Sequence, residues 1–317
     1  AMGAWVWIIA AVAVLLALSL AASYIMARNA IDRVQPKLPS WVQRVLKGTG
    51  RAVAGRRHSD REARAARLRA MSMEKISVTA DDGETLVGRM YALPGAERVV
   101  ICFHGWRSTW ADDFSGPGEM LMNMGCSVVF PDQRAHGESG GRYICFGVKE
   151  RYDVLKWVER THELFPDLPL YVFGASMGAT TVMDSTGVGL PTYVHGVIED
   201  CGFSSGKDIC RHIIRKNMHS SFFFFYPQLN LFCKLLGGFT FGQCSTFDAM
   251  GKCRVPVMFI HGEADTFVPA SMSRKNYDLC TAPKEIHTFP GAGHIRSWYS
   301  DPERYEGITA EFFTKYD

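Results

Sequence analysis

Ser176 is the residue whose surroundings point most directly to chemistry. It lies in Gly-Ala-Ser-Met-Gly at positions 174–178, after a short apolar run and before a run of small residues. This order predicts a strand, a sharp turn and a helix, an arrangement that projects a serine hydroxyl above the edge of a sheet. Gly174 and Gly178 fit because the strand and helix backbones approach so closely there that a Cβ would clash. The pattern favours a catalytic nucleophile over a surface serine in a tight turn.

A serine nucleophile needs a base, and a histidine is suited to that role near neutral pH. Of the ten histidines, His294 has the most suitable position, because it follows a predicted strand in a Gly-flanked loop after the serine. Asp265 comes just after the preceding predicted strand, which gives the chain order Ser, Asp, His. We expect Asp265 to orient His294, with Asp200 as the alternative acid. His104, His136 and His261 are expected to hold turns.

Acyl transfer also needs two N–H donors for the developing oxyanion. One is predicted to be the backbone N–H of Met177, the residue after the nucleophile. The other is predicted to be the N–H of Trp106, in the His-Gly-Trp sequence that follows the apolar run at 98–103. The indole of Trp106 is expected to fill a hydrophobic gap or to line an acyl pocket.

Alternating strand and helix patterns indicate how these residues are positioned. A turn at 81–83 predicts a hairpin, and later apolar runs end at the candidate catalytic loops. Such alternation predicts an α/β fold, with a mostly parallel sheet that carries helices on both faces. The predicted strands after the hairpin are 98–103, 126–130, 170–173, 193–199, 256–260 and 286–289, and the predicted helices include 111–124 and 148–165.

Residues 203–250 interrupt this alternation and are rich in aromatic side chains. A long insertion between two strands is usually functional, which favours a helical cap over the serine. An apolar cap would exclude water and favour acyl chains or aromatic groups. The alternative is a set of outer helices that only stabilise the domain.

The N-terminal residues 4–26 form a nearly unbroken apolar run, long enough to cross a bilayer core of about 30 Å. A cleaved signal peptide is the alternative, but the run exceeds the length of a typical apolar signal region and no Lys or Arg precedes it. Residues 27–73 are rich in arginine, which predicts a single-pass cell-membrane protein with a cytoplasmic catalytic domain at 74–317. The basic segment is either a contact with anionic lipid or a solvated helical linker.

Composition excludes several classes of function. The chain has 317 residues, 47% of them hydrophobic, and a formal net charge of +3, which fits one large α/β domain with additional segments. Its nine cysteines show neither CxxC nor metal-site spacing, so reduced thiols are expected. We predict no cofactor and no metal, because no nucleotide loop, zinc signature or EF-hand is present. The basic segment lacks interleaved aromatic residues, so nucleic acid is not an expected partner.

Taken together, the motifs resemble those of the α/β-hydrolase superfamily, and the resemblance covers residues 74–317 in the family's order. The chain is similar to bacterial membrane-anchored serine hydrolases of the Bem46-type and monoglyceride-lipase-like branch. The resemblance implies an eight-stranded sheet, a Ser-Asp-His triad, a cap between the sixth and seventh strands and no cofactor. The matching segments are 104–106, 132–139, 174–178, 261–269 and 291–294.

These observations favour a serine hydrolase that cleaves carboxylic esters with apolar acyl groups, its substrate being a small-molecule acyl ester. A peptidase, amidase or thioesterase would use the same triad. The fold also hosts inactive binding proteins, so a membrane-tethered binding protein is the third possibility.

Overall fold

The computed structural model describes residues 3–34, 57–218 and 222–317. One eight-stranded sheet organises the molecule, in the order β1-β2-β4-β3-β5-β6-β7-β8. The first two strands form an antiparallel hairpin, β2 is antiparallel to β4, and the remaining neighbours are parallel. The predicted α/β-hydrolase architecture is confirmed. The strands are β1 Glu74–Thr79, β2 Thr85–Tyr91, β3 Arg98–Phe103, β4 Cys126–Pro131, β5 Leu170–Ala175, β6 Val194–Asp200, β7 Val257–Gly262 and β8 Lys284–Phe289.

Twelve helices lie within the described residues, most of them in the connections between strands. They are α1 Ala4–Ile31, α2 Arg57–Ala70, α3 Trp110–Asp113, α4 Pro117–Asn123, α5 Glu150–Leu164, α6 Met177–Val188, α7 Gly206–Met218, α8 Phe222–Gly237, α9 Thr246–Met250, α10 Ala270–Leu279, α11 Ser297–Ser300 and α12 Pro302–Tyr316.

Successive side chains of the central strands enter two separate cores. Val100 and Cys102 of β3 face a core with α2, α4 and α12, whereas Val99 and Ile101 face one with α5 and α6. Strands buried on both faces read as continuous apolar runs, which is why β3 and β5 are so hydrophobic in sequence. Because the strands are buried on both faces, the positions of their ends are fixed, and the candidate catalytic loops begin at these ends.

The predicted single helix at 111–124 is wrong, because the structure has two short helices there. Helix α3 ends at Asp113 and α4 begins at Pro117. Proline fits the first turn of a helix, but within a helix it removes a hydrogen bond and clashes with the preceding turn. Between the two helices, Gly116 touches Trp298, and a Cβ at this glycine would lie 2.3 Å from the indole.

The apolar N-terminal helix continues past the predicted span of 4–26 and ends at Ile31. It is long and apolar enough to cross a membrane, as an anchor or a signal sequence. Ala27 and Ile31 are fully buried against the rest of the protein. Part of the basic segment predicted at 27–73 therefore belongs to α1, while positions 35–56 lie outside the described residues.

Helix α2, at the end of that basic segment, is joined to the catalytic domain by ion pairs. Arg61 contacts Asp113 at 2.9 Å, and Arg64 contacts Glu119 at 2.8 Å. Leu68 of the same helix is fully buried in the core. These arginines are therefore partnered by carboxylates of the protein itself.

Helices α7, α8 and α9 fill the connection between β6 and β7, where the cap is predicted. Helices α7 and α8 share a third apolar cluster with α1 and with the loop that contains Phe146, whereas Met250 of α9 packs in the core with α5 and α6. Because Met177 belongs to the third cluster, this layer lies directly over the start of α6.

Candidate active site

Ser176 occupies the turn between β5 and α6 in a strained conformation. Its backbone has φ 54° and ψ −116°, a region that non-glycine residues rarely adopt. A Cβ on Gly174 would lie 2.3 Å from the Gly178 oxygen, and one on Gly178 would lie 1.9 Å from the Phe103 oxygen. The close approach predicted from the two glycines is present, so only glycine fits at either position.

His294 and Asp265 lie in line with the serine. His294 Nε2 is 2.8 Å from Ser176 Oγ, and His294 Nδ1 is 2.6 Å from Asp265 Oδ2. The three side chains come from the ends of β5, β7 and β8, which parallel register brings to one edge of the sheet. This geometry allows Ser176 to transfer its proton to Nε2 while Nδ1–H remains bonded to the carboxylate.

The Asp265 carboxylate is buried and accepts hydrogen bonds on both oxygens. Oδ1 accepts from the backbone N–H groups of Phe267 and Val268, at 2.8 and 2.9 Å. Burial alone would raise the pKa of Asp265, but hydrogen bonds from His261 and His294 hold it well below its ordinary value. The residue is therefore an anion positioned to stabilise a positive charge on His294.

Asp200, the alternative acid, is engaged elsewhere. Its Oδ2 accepts from the Tyr305 hydroxyl at 2.9 Å, and its backbone oxygen accepts from Ser176 N–H at 2.8 Å. Burial raises the pKa of Asp200 to about 6. It supports the backbone of the serine turn, and within the described residues the acid hydrogen-bonded to His294 is Asp265.

The two predicted oxyanion donors are the backbone N–H groups of Trp106 and Met177. Among the described residues, no protein acceptor bonds to either of them. The neighbours of Trp106 are occupied, because Gly105 N–H donates to Asp113 Oδ2 at 2.7 Å and Arg107 N–H donates to His136 Nε2 at 3.0 Å. The loop is thus fixed on both sides of an N–H that remains available for an anionic oxygen.

His104, His136 and His261 form hydrogen bonds with backbone groups of turns and loops, as predicted. His104 Nε2 accepts from Gln133 N–H at 3.1 Å, and His136 bonds Arg107 as described above. Burial, with His104 beside it, lowers the pKa of His136 to about 3, so this ring is neutral at physiological pH. His261 Nε2 donates to the Val268 oxygen at 2.9 Å and holds the loop that carries Asp265.

Two family models match the chain over this region. One describes a serine aminopeptidase of the S33 type and covers residues 94–203, and the other describes the FSH1 serine hydrolases and covers residues 153–295. Both matches include the serine turn, and the second reaches the histidine. The chain belongs to the α/β-hydrolase superfamily, and both matching family models describe serine enzymes of this superfamily.

Sequence relatives of this hydrolase include two uncharacterized bacterial proteins. YqkD of Bacillus subtilis is 26% identical over 61% of the chain, and the match spans 64% of YqkD, less than two thirds of its length. YfhR of Escherichia coli K12 is 24% identical over 71% of the chain and 74% of YfhR.

Solved structures similar to the hydrolase share its fold at low identity. The esterase Pf2001 of Pyrococcus furiosus has a TM-score of 0.64 at 23% identity, over 84% of this chain and 96% of that one. The ferulic acid complex of Est1E from Butyrivibrio proteoclasticus has a TM-score of 0.58 at 16% identity, over 76% and 98%.

An apolar cavity of about 630 Å³ lies above Ser176 in the hydrolase. Its walls combine Trp106, the cap residues Ile213 and Leu229, and Phe267, together with α1. The Phe267 ring also meets the His294 ring edge-on, with centroids 5.0 Å apart. The volume is typical of cavities that hold small molecules.

Sequence reasoning missed two parts of this site. Asp113 fixes the oxyanion loop through Gly105, yet it lies in a helix of four residues with no catalytic motif. Residues 22–30 of α1 line the cavity although their apolar pattern indicated only a membrane span. Neither contact leaves a pattern in the sequence. The first joins two residues eight positions apart that belong to no shared motif, and the second joins α1 to a loop 76 residues away.

A small cluster of possible metal ligands includes His294. Cys201, Asp265 and His294 offer ligand atoms within 4.8 Å of one another. Burial, reinforced by Asp200 and Asp265, keeps the pKa of the Cys201 thiol well above its ordinary value, and a neutral thiol is a poor ligand. The donor set therefore fits proton transfer to His294 better than it fits a metal ion.

Proposed function

We propose that this hydrolase cleaves carboxylic esters with apolar acyl groups through an acyl-enzyme. The observation that carries the proposal is a serine hydroxyl 2.8 Å from a histidine nitrogen, at the base of an apolar cavity. The acyl chain occupies the cavity and brings its carbonyl carbon to Ser176 Oγ.

Each proton in the proposed reaction has a defined acceptor. Ser176 Oγ attacks the carbonyl carbon while its proton moves to His294 Nε2, and the N–H groups of Trp106 and Met177 bind the oxyanion. The intermediate then expels the alcohol, which takes the proton from Nε2. Water repeats the sequence on the acyl-enzyme, releasing the carboxylic acid and restoring Ser176. Asp265 stays ionised throughout.

Peptide bond cleavage is the second candidate, because one matching family model describes a serine aminopeptidase. An aminopeptidase needs an acidic group near the serine to bind the free amino terminus of its substrate. The lining of the cavity contains no Asp or Glu within the described residues, and its side chains are mainly apolar. This lining favours acyl chains over peptides.

A substrate panel separates these activities. The full-length protein in detergent micelles is assayed with p-nitrophenyl esters, acyl-thioesters and amino-acyl amides that share the same acyl group. We expect kcat/KM to be highest for the esters and to be abolished by Ser176→Ala. A kcat/KM for the amides that equals or exceeds that for the esters would indicate a peptidase or amidase. The same result for the thioesters would indicate a thioesterase.

We further propose that α1 is a single-pass anchor and that the catalytic domain faces the cytoplasm. The arginine-rich residues that follow the helix support this orientation, because cytoplasmic flanks are enriched in cations. Protease protection of inverted and right-side-out membrane vesicles tests the orientation. Digestion of the catalytic domain in right-side-out vesicles would contradict it.

A further inference from the structure

The membrane-span helix α1 forms one wall of the cavity above Ser176. Five of its residues line the cavity at helical spacing: Ala22, Ile25, Met26, Asn29 and Ala30. The helix is held in place by the oxyanion loop, since Trp106 Nε1 donates to the Ala30 oxygen at 2.9 Å and Arg107 Nη2 donates to the Asn29 oxygen at 2.7 Å. The same helix thus belongs to the predicted anchor and to the substrate site.

Cap helix α8 runs alongside α1 in the same direction. Gln228 Oε1 accepts hydrogen bonds from Ser19 and Ser23, at 2.9 and 3.1 Å, and Phe232 meets the Tyr24 ring with centroids 5.3 Å apart. Positions increase together along the two helices, so the first turn of α8 lies beside residues that precede Ser19. Interhelical hydrogen bonds of this kind are used within membranes.

The side of α8 that faces away from the protein is mainly apolar, with Lys234 exposed in its last turn. Phe224, Leu231 and Leu235 lie at a spacing of seven and four residues on one helix face, and they are 55%, 49% and 69% exposed. Leu15, Leu16 and Leu18 of α1 are likewise exposed. The two helices together present one apolar surface that continues the membrane span.

The depth of the cavity follows from the length of the helix. About 20 residues at 1.5 Å each cross the hydrocarbon core, so a span that begins near Ala4 leaves the core near Ser23. Ala22 and Ile25 line the cavity at this level and are also exposed, so the cavity opens beside them. This opening faces the layer where the acyl chains of the bilayer begin.

We propose that the cavity opens directly into the bilayer, that α1 and the exposed face of α8 form its lipid-embedded mouth, and that the substrate is a long-chain acyl ester drawn laterally from the membrane. This inference rests on the proposed esterase activity and adds the source and class of the substrate. Each CH₂ moved from an apolar environment into water lowers the partition constant about fourfold. A path that stays apolar avoids this penalty. Ala22 lines the opening of this path, so a larger side chain there would narrow it.

The first test narrows the mouth from the side of α1. Full-length Ala22→Phe is reconstituted in phosphatidylcholine vesicles and assayed with p-nitrophenyl butyrate and p-nitrophenyl palmitate, with Ala21→Phe as the matched control. Ala21 is the adjacent exposed alanine, and it is not among the residues that line the cavity. We expect Ala22→Phe to lower kcat/KM for the palmitate about tenfold or more and for the butyrate less than threefold, while Ala21→Phe matches the wild type.

Three outcomes of this test are informative. Equal palmitate-to-butyrate ratios in the two variants would overturn the role of α1 as a wall. If Ala22→Phe fails to fold, Ile25→Ala replaces it and is expected to shift the preference toward longer chains; an unchanged preference would again overturn the inference. A wild type that cleaves neither ester and is not labelled at Ser176 by a fluorophosphonate would instead refute the proposed function itself.

The second test concerns the exposed face of α8. Phe224→Asp is expected to lower turnover of vesicle-borne palmitate at least fivefold and to leave butyrate turnover unchanged. Tyr152→Asp, at a half-exposed aromatic residue of α5, is expected to change neither. A dimer in detergent that Phe224→Asp converts to monomer would show that a second copy covers this face, and would overturn its assignment to the bilayer.

Discussion

At the scale of single residues, the arrangement depends on a row of hydrogen bonds from Asp265 through His294 to Ser176. The carboxylate is buried and ionised, and it accepts hydrogen bonds from His294 and from two backbone N–H groups, with His261 Nε2 3.4 Å away. A buried anion that is already bonded needs no reorganisation when the adjacent imidazole becomes charged. Its removal should therefore affect the chemical step more than substrate binding.

We expect Asp265→Asn to lower kcat about 10²- to 10⁴-fold with little change in KM, because the amide no longer stabilises a positive charge on His294. Steady-state kinetics on a p-nitrophenyl ester measures this effect. Asp200→Asn is the matched control and should retain kcat within about tenfold, since Asp200 bonds Tyr305 rather than His294. A larger loss of kcat in Asp200→Asn than in Asp265→Asn would show that Asp200 is the acid that supports His294.

The site residues illustrate what sequence can specify at this scale. Ser176, Asp265 and His294 follow apolar runs that end at recognisable motifs, so the sequence predicted their meeting at one sheet edge. Their catalytic roles stay predictions until they are measured. Asp113 could not be found, because its contact with Gly105 depends on where a four-residue helix is placed.

At the scale of elements, the turn from β5 into α6 sets the position of the nucleophile. The backbone of Gly178 lies against the end of β3, and Gly174 lies against the first turn of α6. The strain at Ser176 is maintained because strand and helix are both buried on each side. The conformation of Ser176 therefore depends on β5, the turn and α6 together.

Gly178→Ala tests the close packing of the turn between β5 and α6. The added methyl group would need space now occupied by the Phe103 carbonyl, so we expect the free energy of unfolding to fall by about 1–3 kcal/mol or more. Gly307→Ala is the control, because Gly307 lies in α12 and a Cβ added there would meet no atom within 4 Å. It should stabilise the protein by up to about 1 kcal/mol. Urea unfolding measures both, and similar values for the two variants would contradict the account of the turn.

Elements were predictable where the pattern is local. The strands β3, β4, β5 and β7 were found because buried parallel strands are continuous apolar runs bounded by turn residues. The edge strand β8 is only half-buried, and its sequence indicated just residues 286–289. The break between α3 and α4 was missed because the apolar spacing continues across it, while Pro117 and the contact of Gly116 with Trp298 interrupt the helix.

At the scale of the whole molecule, α1 belongs to the folded hydrolase as well as to the predicted membrane anchor. Contacts between Ser19 and Gln228 and between Ala30 and Trp106 join regions 209 and 76 residues apart. The apolar pattern of α1 does not indicate which residues it contacts. The sequence therefore predicted a membrane span and a linker, but not that α1 lines the cavity above Ser176.

We expect α1 to be retained in the mature protein. Cleavage within or after the helix would expose the apolar residues that Ala27 and Ile31 cover, and would open the cavity wall. Intact mass measurement of the protein purified from membranes should therefore include residues 4–31. A mature form that begins after Ile31 and keeps full activity would contradict this prediction and favour a signal sequence.

The stability of the molecule should also depend on pH through Asp184, a carboxyl buried beneath the cap. Burial raises the pKa of Asp184 to about 7, above its unfolded value, and its Oδ2 accepts only from Cys244 Sγ among the described side chains. Because the folded state holds the proton more tightly, this contribution is complete below about pH 4 and is lost as pH rises toward 7.

Asp184→Asn removes this titration. The stability of the variant relative to the wild type should therefore rise between about pH 4 and 7, by at most about 1.4 kcal/mol per pH unit. Urea unfolding at a series of pH values measures it. Asp208→Asn is a control at a partly buried cap carboxyl that hydrogen-bonds Ser204 and Ser205. A flat difference for Asp184→Asn would contradict the role of burial.

The most direct measurement of the central claim is covalent labelling of the full-length protein with a fluorophosphonate, followed by intact-mass and peptide analysis. A nucleophilic Ser176 next to His294 predicts a single adduct on Ser176, absent in Ser176→Ala and strongly slowed in His294→Ala. An unchanged mass in the folded wild type, or an adduct on another residue, would contradict the assignment of Ser176 as the nucleophile.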